Sequence, residues 1–508
     1  MGISAMGNIL ANLLGRAWSS CLQFALIPVI ARLLGPENFG LIGFYTTLLM
    51  TLIFLNQGMS SALVRELGRL GNKPENAEEM RDLFHSLERP VLLLGLLIGG
   101  GVMLASPLIA RHWLHAGALD EDRVILSLRL MGLCLACQWP NGLYTGGYVG
   151  LHRQNELTKL TILQTTLLFG GAPLLLTALT ARPEVYFLWH AVTWSGFNLL
   201  ARARLLRLFP PAERPGRFRL ERLRAVWRFG AGSMIIGLTA SLLTQLDNLM
   251  VSRFVPLDQF AAYSLSFSVA SLITVLVMGP VSSVFLPLLA GLQAAADRAR
   301  LAGEYHRWTQ VTVFLALPMG GALIVFTRPL LTVWLGADSP LLPLMLPILP
   351  WIALGTLLNT VAMAPAILQA ASGWTRLSIV KNFIALPPFL LILAWGIPEI
   401  GMIVGAWCWV ALNLGYYLFE VPLTHRRLLP DEMWAWWGRD TLLPGAVAAA
   451  VFALAAALTP AGLPPWEGVV LACLTALITA LALLAVLPHP RAMILTGLAR
   501  LKSGGAHG

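Results

Sequence analysis

The stretch GVVLACLTALITALALLAVL, residues 468–487, contains no charged residue and no Asn or Gln. A helix rises about 1.5 Å per residue, so roughly 20 apolar residues cross the ~30 Å hydrocarbon layer of a bilayer. Runs of the same kind recur at VLLLGLLIGGGVMLASPLIA (91–110), VTVFLALPMGGALIVFT (311–327) and TLLPGAVAAAVFALAAALTP (441–460). The 508 residues are 57% hydrophobic and 12% charged, with a mean hydropathy of +0.72. A soluble domain carries about twice that charge, and a transmembrane β-barrel would show short alternating strands instead. The chain reads as an all-α polytopic membrane protein.

Hydropathy places fourteen spans, near 8–34, 38–63, 88–110, 124–150, 160–180, 184–201, 229–254, 260–290, 308–334, 342–371, 378–397, 400–424, 441–460 and 466–487. The start, MGISAMGNILANLLGRAWSS, lacks a basic n-region and a small-residue cleavage site, so the first span is expected to do the targeting itself. The five cysteines fall in apolar segments and read as structural thiols. With both termini assigned to the cytoplasm, six of the 35 Lys and Arg fall outside (Arg32, Arg111, Arg123, Arg182, Arg253, Arg328) and two (Arg16, Arg129) lie within spans. The rest are inside, the skew that fixes orientation by the positive-inside rule. The same rule accounts for the net charge of +10 without nucleic acid.

The basic loop RARLLRLFPPAERPGRFRLERLRAVWR (202–228) carries nine arginines against two glutamates. Two readings stand beside each other: an amphipathic segment on anionic lipid, and a topology determinant joining two halves. The expected organisation is a six-helix lobe (1–201), this linker (202–228), a second six-helix lobe (229–424), a second linker (425–440), accessory helices (441–487) and a cytoplasmic tail (488–508). The external loops are short, the longest being RHWLHAGALDEDR (111–123).

The halves resemble each other. ARLLGPENFG (31–40) aligns with SRFVPLDQFA (252–261) at an offset of 221, pairing Arg32 with Arg253, Glu37 with Asp258 and Phe39 with Phe260. TKLT (158–161) aligns with TRLS (375–378) at an offset of 217. Two matches at nearly one offset imply a six-helix unit used twice, with both copies running in the same direction and related by a pseudo-twofold axis along the membrane normal.

Three segments, IARLLGPENFGLIGFYTTL (30–48), GMSSALVRELG (58–68) and QLDNLMVSRF (245–254), resemble the polysaccharide transporter family, which includes Wzx-type oligosaccharide flippases. Its superfamily also holds multidrug extruders and the lipid II flippase. The resemblance covers the layout of the first twelve spans. It implies two lobes around a lumen, an undecaprenyl-diphosphate-linked oligosaccharide as cargo, movement from the cytoplasmic to the periplasmic leaflet of the bacterial inner membrane, and alternating access. The expected products are O-antigen or exopolysaccharide, and the expected partners are membrane lipids, a polysaccharide polymerase and a chain-length regulator.

Polar groups in hydrocarbon are costly and face a cavity or each other. Those in the spans are Arg16, Asn56, Gln57, Arg129, Gln138, Asn141, Gln164, Asn198, Gln245, Asp247, Asn248, Asn359 and Asn413. A hydrophilic path and helix–helix hydrogen bonding both account for the Asn and Gln. A diphosphate calls for bidentate cationic donors, which makes Arg16 and Arg129 the head-group candidates, with snorkelling to the interface as the plain alternative. Arg65 with Glu66, Lys381, and Glu420 lie nearer the cytoplasmic edge, where vestibule and snorkelling readings are both open. Asp247 is the one deep acid; it is expected either to pair with Arg129 or Arg253, or to exchange a proton during the cycle. No cofactor is called for, and a proton or sodium gradient is left open as the energy source.

An embedded polymerase or ligase would need acid–base residues on a sizeable external loop, and Asp120, Glu121 and Asp122 read instead as capping or solvent-facing. A multidrug extruder would favour acidic, aromatic cavities for cations. A lipid II flippase is separated poorly by sequence alone.

Overall fold

The computed structural model describes residues 3–117, 119–224, 241, 244–374, 376–460 and 462–504. The chain is helical; among the described residues the one strand-like pairing is an isolated parallel bridge between His115 and Pro256. It divides into two compact units, Met1–Ala261 and Ala262–Gly508.

The first unit contains α1 (Ile3–Leu34), α2 (Pro36–Leu70), α3 (Ala77–His112), α4 (Glu121–Gln138) and α5 (Asn141–Gly150). There follow α6 (Gln154–Thr165) and α7 (Gly171–Ala178), joined through a π-turn, then α8 (Pro183–Leu208) and the helical residues 244–254, α9. The next helix, α10 (Leu257–Ala294), begins in the first unit and continues into the second.

The second unit continues with α11 (Arg298–Val325), α12 (Thr327–Leu335), α13 (Leu342–Met345), α14 (Leu349–Ala371), α15 (Arg376–Ile400), α16 (Ile403–Gly415) and α17 (Val421–Leu428). It ends with α18 (Met433–Ala435), α19 (Leu443–Leu458), α20 (Pro465–Val486) and α21 (Pro488–Gly504). π-Turns at Tyr416–Glu420 and Trp436–Leu442 lead into α17 and α19.

Among the described residues eight helices are long and apolar enough to cross a membrane, from Pro74–His112 to Pro465–Val486. Their outward faces carry large apolar side chains: Leu96, Leu97, Leu104 and Leu108 on α3, and Ile384, Leu391 and Trp395 on α15, with Leu104 at 86% exposure. A surface of this kind is stable against acyl chains and not against water. The chain is a multi-pass membrane protein.

Three expected spans are interrupted. The fourth, read as 124–150, stops at Gln138 and restarts at Asn141, because Pro140 has no N–H to donate and its ring crowds the preceding turn. The ninth breaks at Phe326, and the tenth is a short piece, Leu342–Met345, before α14. Most of the seventh span lies outside the described residues.

Small residues set the closest crossings. A Cβ on Gly99 would stand 2.4 Å from the Gly132 carbonyl and one on Gly132 would stand 2.5 Å from the Gly99 carbonyl, so α3 and α4 meet backbone to backbone. Along α5, Gly142, Gly146 and Gly150 form a stripe at four-residue spacing that admits Asn56, Ser60 and Leu67 of α2. The two repeat motifs also meet: a Cβ on Gly40 would lie 2.2 Å from the Leu257 carbonyl, and Leu257 N donates to His115 O at 3.2 Å.

Candidate functional site

The break at Pro140 gathers the polar residues of the first unit. Leu143 and Tyr144 amides both bond the Pro140 carbonyl, at 3.1 and 3.2 Å. The Trp139 carbonyl accepts from Asn56 Nδ2, the Cys137 carbonyl from Asn198 Nδ2 at 2.7 Å, and the Gly142 carbonyl from Ser60 Oγ at 2.8 Å. Gln138 Oε1 accepts from the Tyr45 hydroxyl at 2.6 Å. Side chains of α2 and α8 thus bond carbonyls at the proline interruption. What they leave over is informative. Asn56 Oδ1, Asn141 Oδ1, Asn198 Oδ1 and the Trp139 indole N–H are buried with no hydrogen-bond partner among the described residues. Three amide oxygens and one donor around one break form a set suited to water or to a hydroxyl-rich ligand.

Beside it lies a charged group that sequence reading passed over. Glu88 is buried and receives both arms of Arg202, at 2.6 and 3.1 Å, and the Tyr144 hydroxyl at 3.0 Å. The pair joins α3 to α8, and in the sequence Glu88 stands only as the first residue of the third expected span.

The remaining candidates are distributed along the unit. Arg129 is exposed on α4 between Leu126 and Leu133, one turn away on either side, and forms no ion pair among the described residues. Asp247 is buried and accepts from Asn248 Nδ2 at 3.4 Å, while Gln245 is half-buried. Arg253 stacks over Phe254, 5.8 Å from the centre of its ring. Arg65 pairs with Glu66 at 2.9 Å, and Arg69 pairs with the same carboxylate at 2.8 Å. Burial pushes the Glu66 carboxyl up, but the bonds from Arg69 and Arg65 outweigh it and hold it below the usual range. The side chains of Arg16 and Gln57 lie outside the described residues.

The basic linker is not free to lie on lipid with all its charge. Arg214 bonds Glu78 at 2.7 Å and Asp82 at 2.8 Å, Arg219 reaches Asp82 at 2.7 Å, and Arg222 reaches Glu79 at 2.5 Å. The Arg217 amide adds a bond to Asp82 at 2.8 Å. An acidic face at the start of α3 therefore straps residues 214–222 down, and the bond to Asp82 holds the Arg214 guanidinium further above its usual range.

In the second unit, Lys381 pairs with buried Glu420 and lies 4.0 Å from the centre of the Tyr416 ring. Gln369 Nε2 donates to Glu420 at 2.9 Å and to Thr424 at 2.8 Å, and its oxygen accepts from Ser378 at 2.9 Å. Glu420 ends a π-turn, a geometry that displaces a side chain from the regular helical ladder. The Lys381 charge is committed inside the protein. Asn359 donates to Asn413 at 2.8 Å, a helix-to-helix bond between α14 and α16.

Two cavities are separate from these groups. One of about 570 Å³ lies between α11 and α21, lined by Arg300, Glu304, Arg307, His489, Met493 and Thr496. The other, of about 170 Å³, is lined by Asn38, Arg123, Ser127, Arg182 and Glu184 in the first unit.

Solved structures place the architecture. The lipid II flippase MurJ in an inward closed conformation matches with a TM-score of 0.69 at 13% identity, over 93% of this chain and 98% of that one. An inward-facing multidrug resistance MATE family transporter matches with a TM-score of 0.64 at 15% identity, over 80% of this chain and 95% of that one. The chain shares the fold of these two solved structures. At the level of sequence, the family described as polysaccharide biosynthesis protein matches residues 29–338, more than half the chain, and the chain belongs to that family. The succinoglycan biosynthesis transport protein ExoT of Rhizobium meliloti (strain 1021) is 26% identical over 339 residues, 65% of this chain. The match spans 62% of that relative's length.

Proposed function

We propose that the protein is a flippase for undecaprenyl-diphosphate-linked oligosaccharide repeats, moving them from the cytoplasmic to the periplasmic leaflet of a bacterial inner membrane for O-antigen or exopolysaccharide synthesis. The observation that carries this reading is the match to the polysaccharide biosynthesis protein family, together with a relative named for polysaccharide transport. The working arrangement is two six-helix lobes with two accessory helices, alternating access to a lumen, and delivery to a polymerase and chain-length regulator. The protein makes and breaks no covalent bond in this scheme.

The sites follow from the chemistry of such a cargo. Its sugars present hydroxyls, which the unpartnered amide oxygens of Asn56, Asn141 and Asn198 can accept. Its diphosphate needs a guanidinium not already neutralised, and Arg129, unpaired between two leucines, supplies one. Arg16 is the second candidate. Lys381 and Arg65 are weaker head-group binders, since Glu420 and Glu66 already hold them. Asp247 is the proposed coupling acid, with a proton or sodium gradient driving return of the empty carrier. Gln138, Gln245 and Asn248 line the same proposed path.

The test is depletion followed by identification of the lipid-linked glycan that accumulates on the cytoplasmic leaflet, with complementation by wild type and by Arg129→Ala. An accumulating sugar repeat, cleared by wild type and cleared at least tenfold more slowly by Arg129→Ala at equal membrane level, is expected. Accumulation of lipid II, or of no lipid-linked glycan, would overturn the assignment. Full rescue by Arg129→Ala would remove that arginine from the site.

A further inference from the structure

His306 on α11 is buried with both ring nitrogens against carboxylates. Its Nδ1 meets Asp440, and its Nε2 lies 2.9 Å from Glu432 Oε2. Asp440 is fully buried in the π-turn Trp436–Leu442, and its other oxygen accepts from Gln310 Nε2 at 2.8 Å and from Arg439 Nε at 3.3 Å. Gln310 in turn accepts from the His489 backbone amide at 3.2 Å. One cluster therefore holds the start of α11, the segment 432–440 and the first turn of α21 together.

A neutral imidazole carries a single N–H, and an ionised carboxylate carries none. Two ring nitrogens facing two carboxylate oxygens can both be hydrogen-bonded only if the cluster holds one proton beyond a neutral ring and two carboxylates. With that proton the local charges of His306, Asp440, Glu432 and Arg439 balance. Without it the cluster is left with a net negative charge around a buried acid, and one ring nitrogen faces a carboxylate lone pair to lone pair. The other titratable neighbours do not replace the missing charge. Arg307 is held by Glu304 at 3.1 Å. Burial lowers both His425 and His489, which disfavours a positive charge on either ring, and the Tyr305 hydroxyl carries none.

The geometry points to a proton-binding site made by His306, Asp440 and Glu432, whose occupancy fastens the segment 429–442, and through it α19, to α11. The site is separate from Asp247 and does not depend on the identity of the cargo. Release proceeds through Glu432, which is 34% exposed and can turn to water, whereas Asp440 has no exposure to retreat into. The docked form binds the proton more tightly than the undocked form, so docking is present at lower pH and is lost as pH rises.

The full-length protein in lipid nanodiscs, labelled with ¹⁵N-histidine, gives the test. Its nine histidines include one signal lost in His306→Gln, which assigns His306. In wild type the assigned ring is expected to show the imidazolium signature at pH 6. Above the deprotonation midpoint, amide exchange across 429–442, corrected for intrinsic chemistry, should rise up to about tenfold per pH unit. His306→Gln should remove that pH response, and the rim variant Glu432→Gln should move the midpoint to lower pH while leaving the fold intact. A His306 ring neutral from pH 5 to 8 with constant protection of 429–442 would overturn the site, as would an unchanged pH response in His306→Gln or an unmoved midpoint in Glu432→Gln.

Discussion

Gly146 shows how one absent methyl group fixes a helix crossing. Its Cβ would lie 2.5 Å from Ser60 Oγ and 3.1 Å from the Ser60 carbonyl, so α2 must back away to admit an alanine. Gly196 on α8 has nothing within 4 Å of the same construction. Gly146→Ala is expected to destabilise the detergent-solubilised protein by about 1–3 kcal/mol through overpacking, whereas Gly196→Ala should be neutral or stabilising by up to ~1 kcal/mol through helix propensity. Thermal unfolding of the two variants side by side checks this; equal effects would mean that the α2–α5 contact is not close-packed. The glycines at 142, 146 and 150 stand four apart in the sequence, but nothing there says which helix they face. The Asn side chains beside them were legible only as polar groups in hydrocarbon. Which carbonyl each one caps depends on how far the helix is displaced at Pro140, and no spacing in the sequence records that.

At the scale of elements, the membrane helices were readable because a bilayer imposes a length and a polarity that hydropathy measures directly. The breaks were not, although Pro140 stands in plain view, because hydropathy averages across a proline and proline is tolerated within spans. The basic linker shows the opposite failure. Its sequence fits a lipid-facing segment and a joint between two halves alike, and the partners of its arginines, Glu78, Glu79 and Asp82, lie more than a hundred residues upstream, beyond the reach of any local pattern. Asp82 sits at the centre of this strap, with Arg214, Arg219 and the Arg217 amide all upon it. Asp82→Asn is expected to raise tryptic cleavage after Arg217 and Arg219 several-fold, since a freed linker exposes its backbone to the protease. Wild type at about 1 M salt, where the Debye length is ~3 Å, should move part of the way toward the variant. Cleavage unchanged by the substitution would show that Asp82 does not hold the strap, leaving it to Glu78, Glu79 and the backbone contacts.

At the scale of the whole molecule, the orientation inferred from the Lys and Arg skew is open to direct measurement. In a background without Cys21, Cys134, Cys137, Cys408 and Cys473, a cysteine at exposed Glu213 should be labelled by an impermeant maleimide only after the membrane is opened, and one at exposed Asp122 in intact cells. Labelling in the reverse order would invert the topology and with it the direction proposed for the cargo. A continuous helix transmits torque from end to end, but span four is two rods meeting at a proline. The carbonyls at that joint are held by Asn56 of α2 and Asn198 of α8. Any bend of span four therefore drags both neighbours or tears their amides away, so that a twist applied to one helix is borne by three.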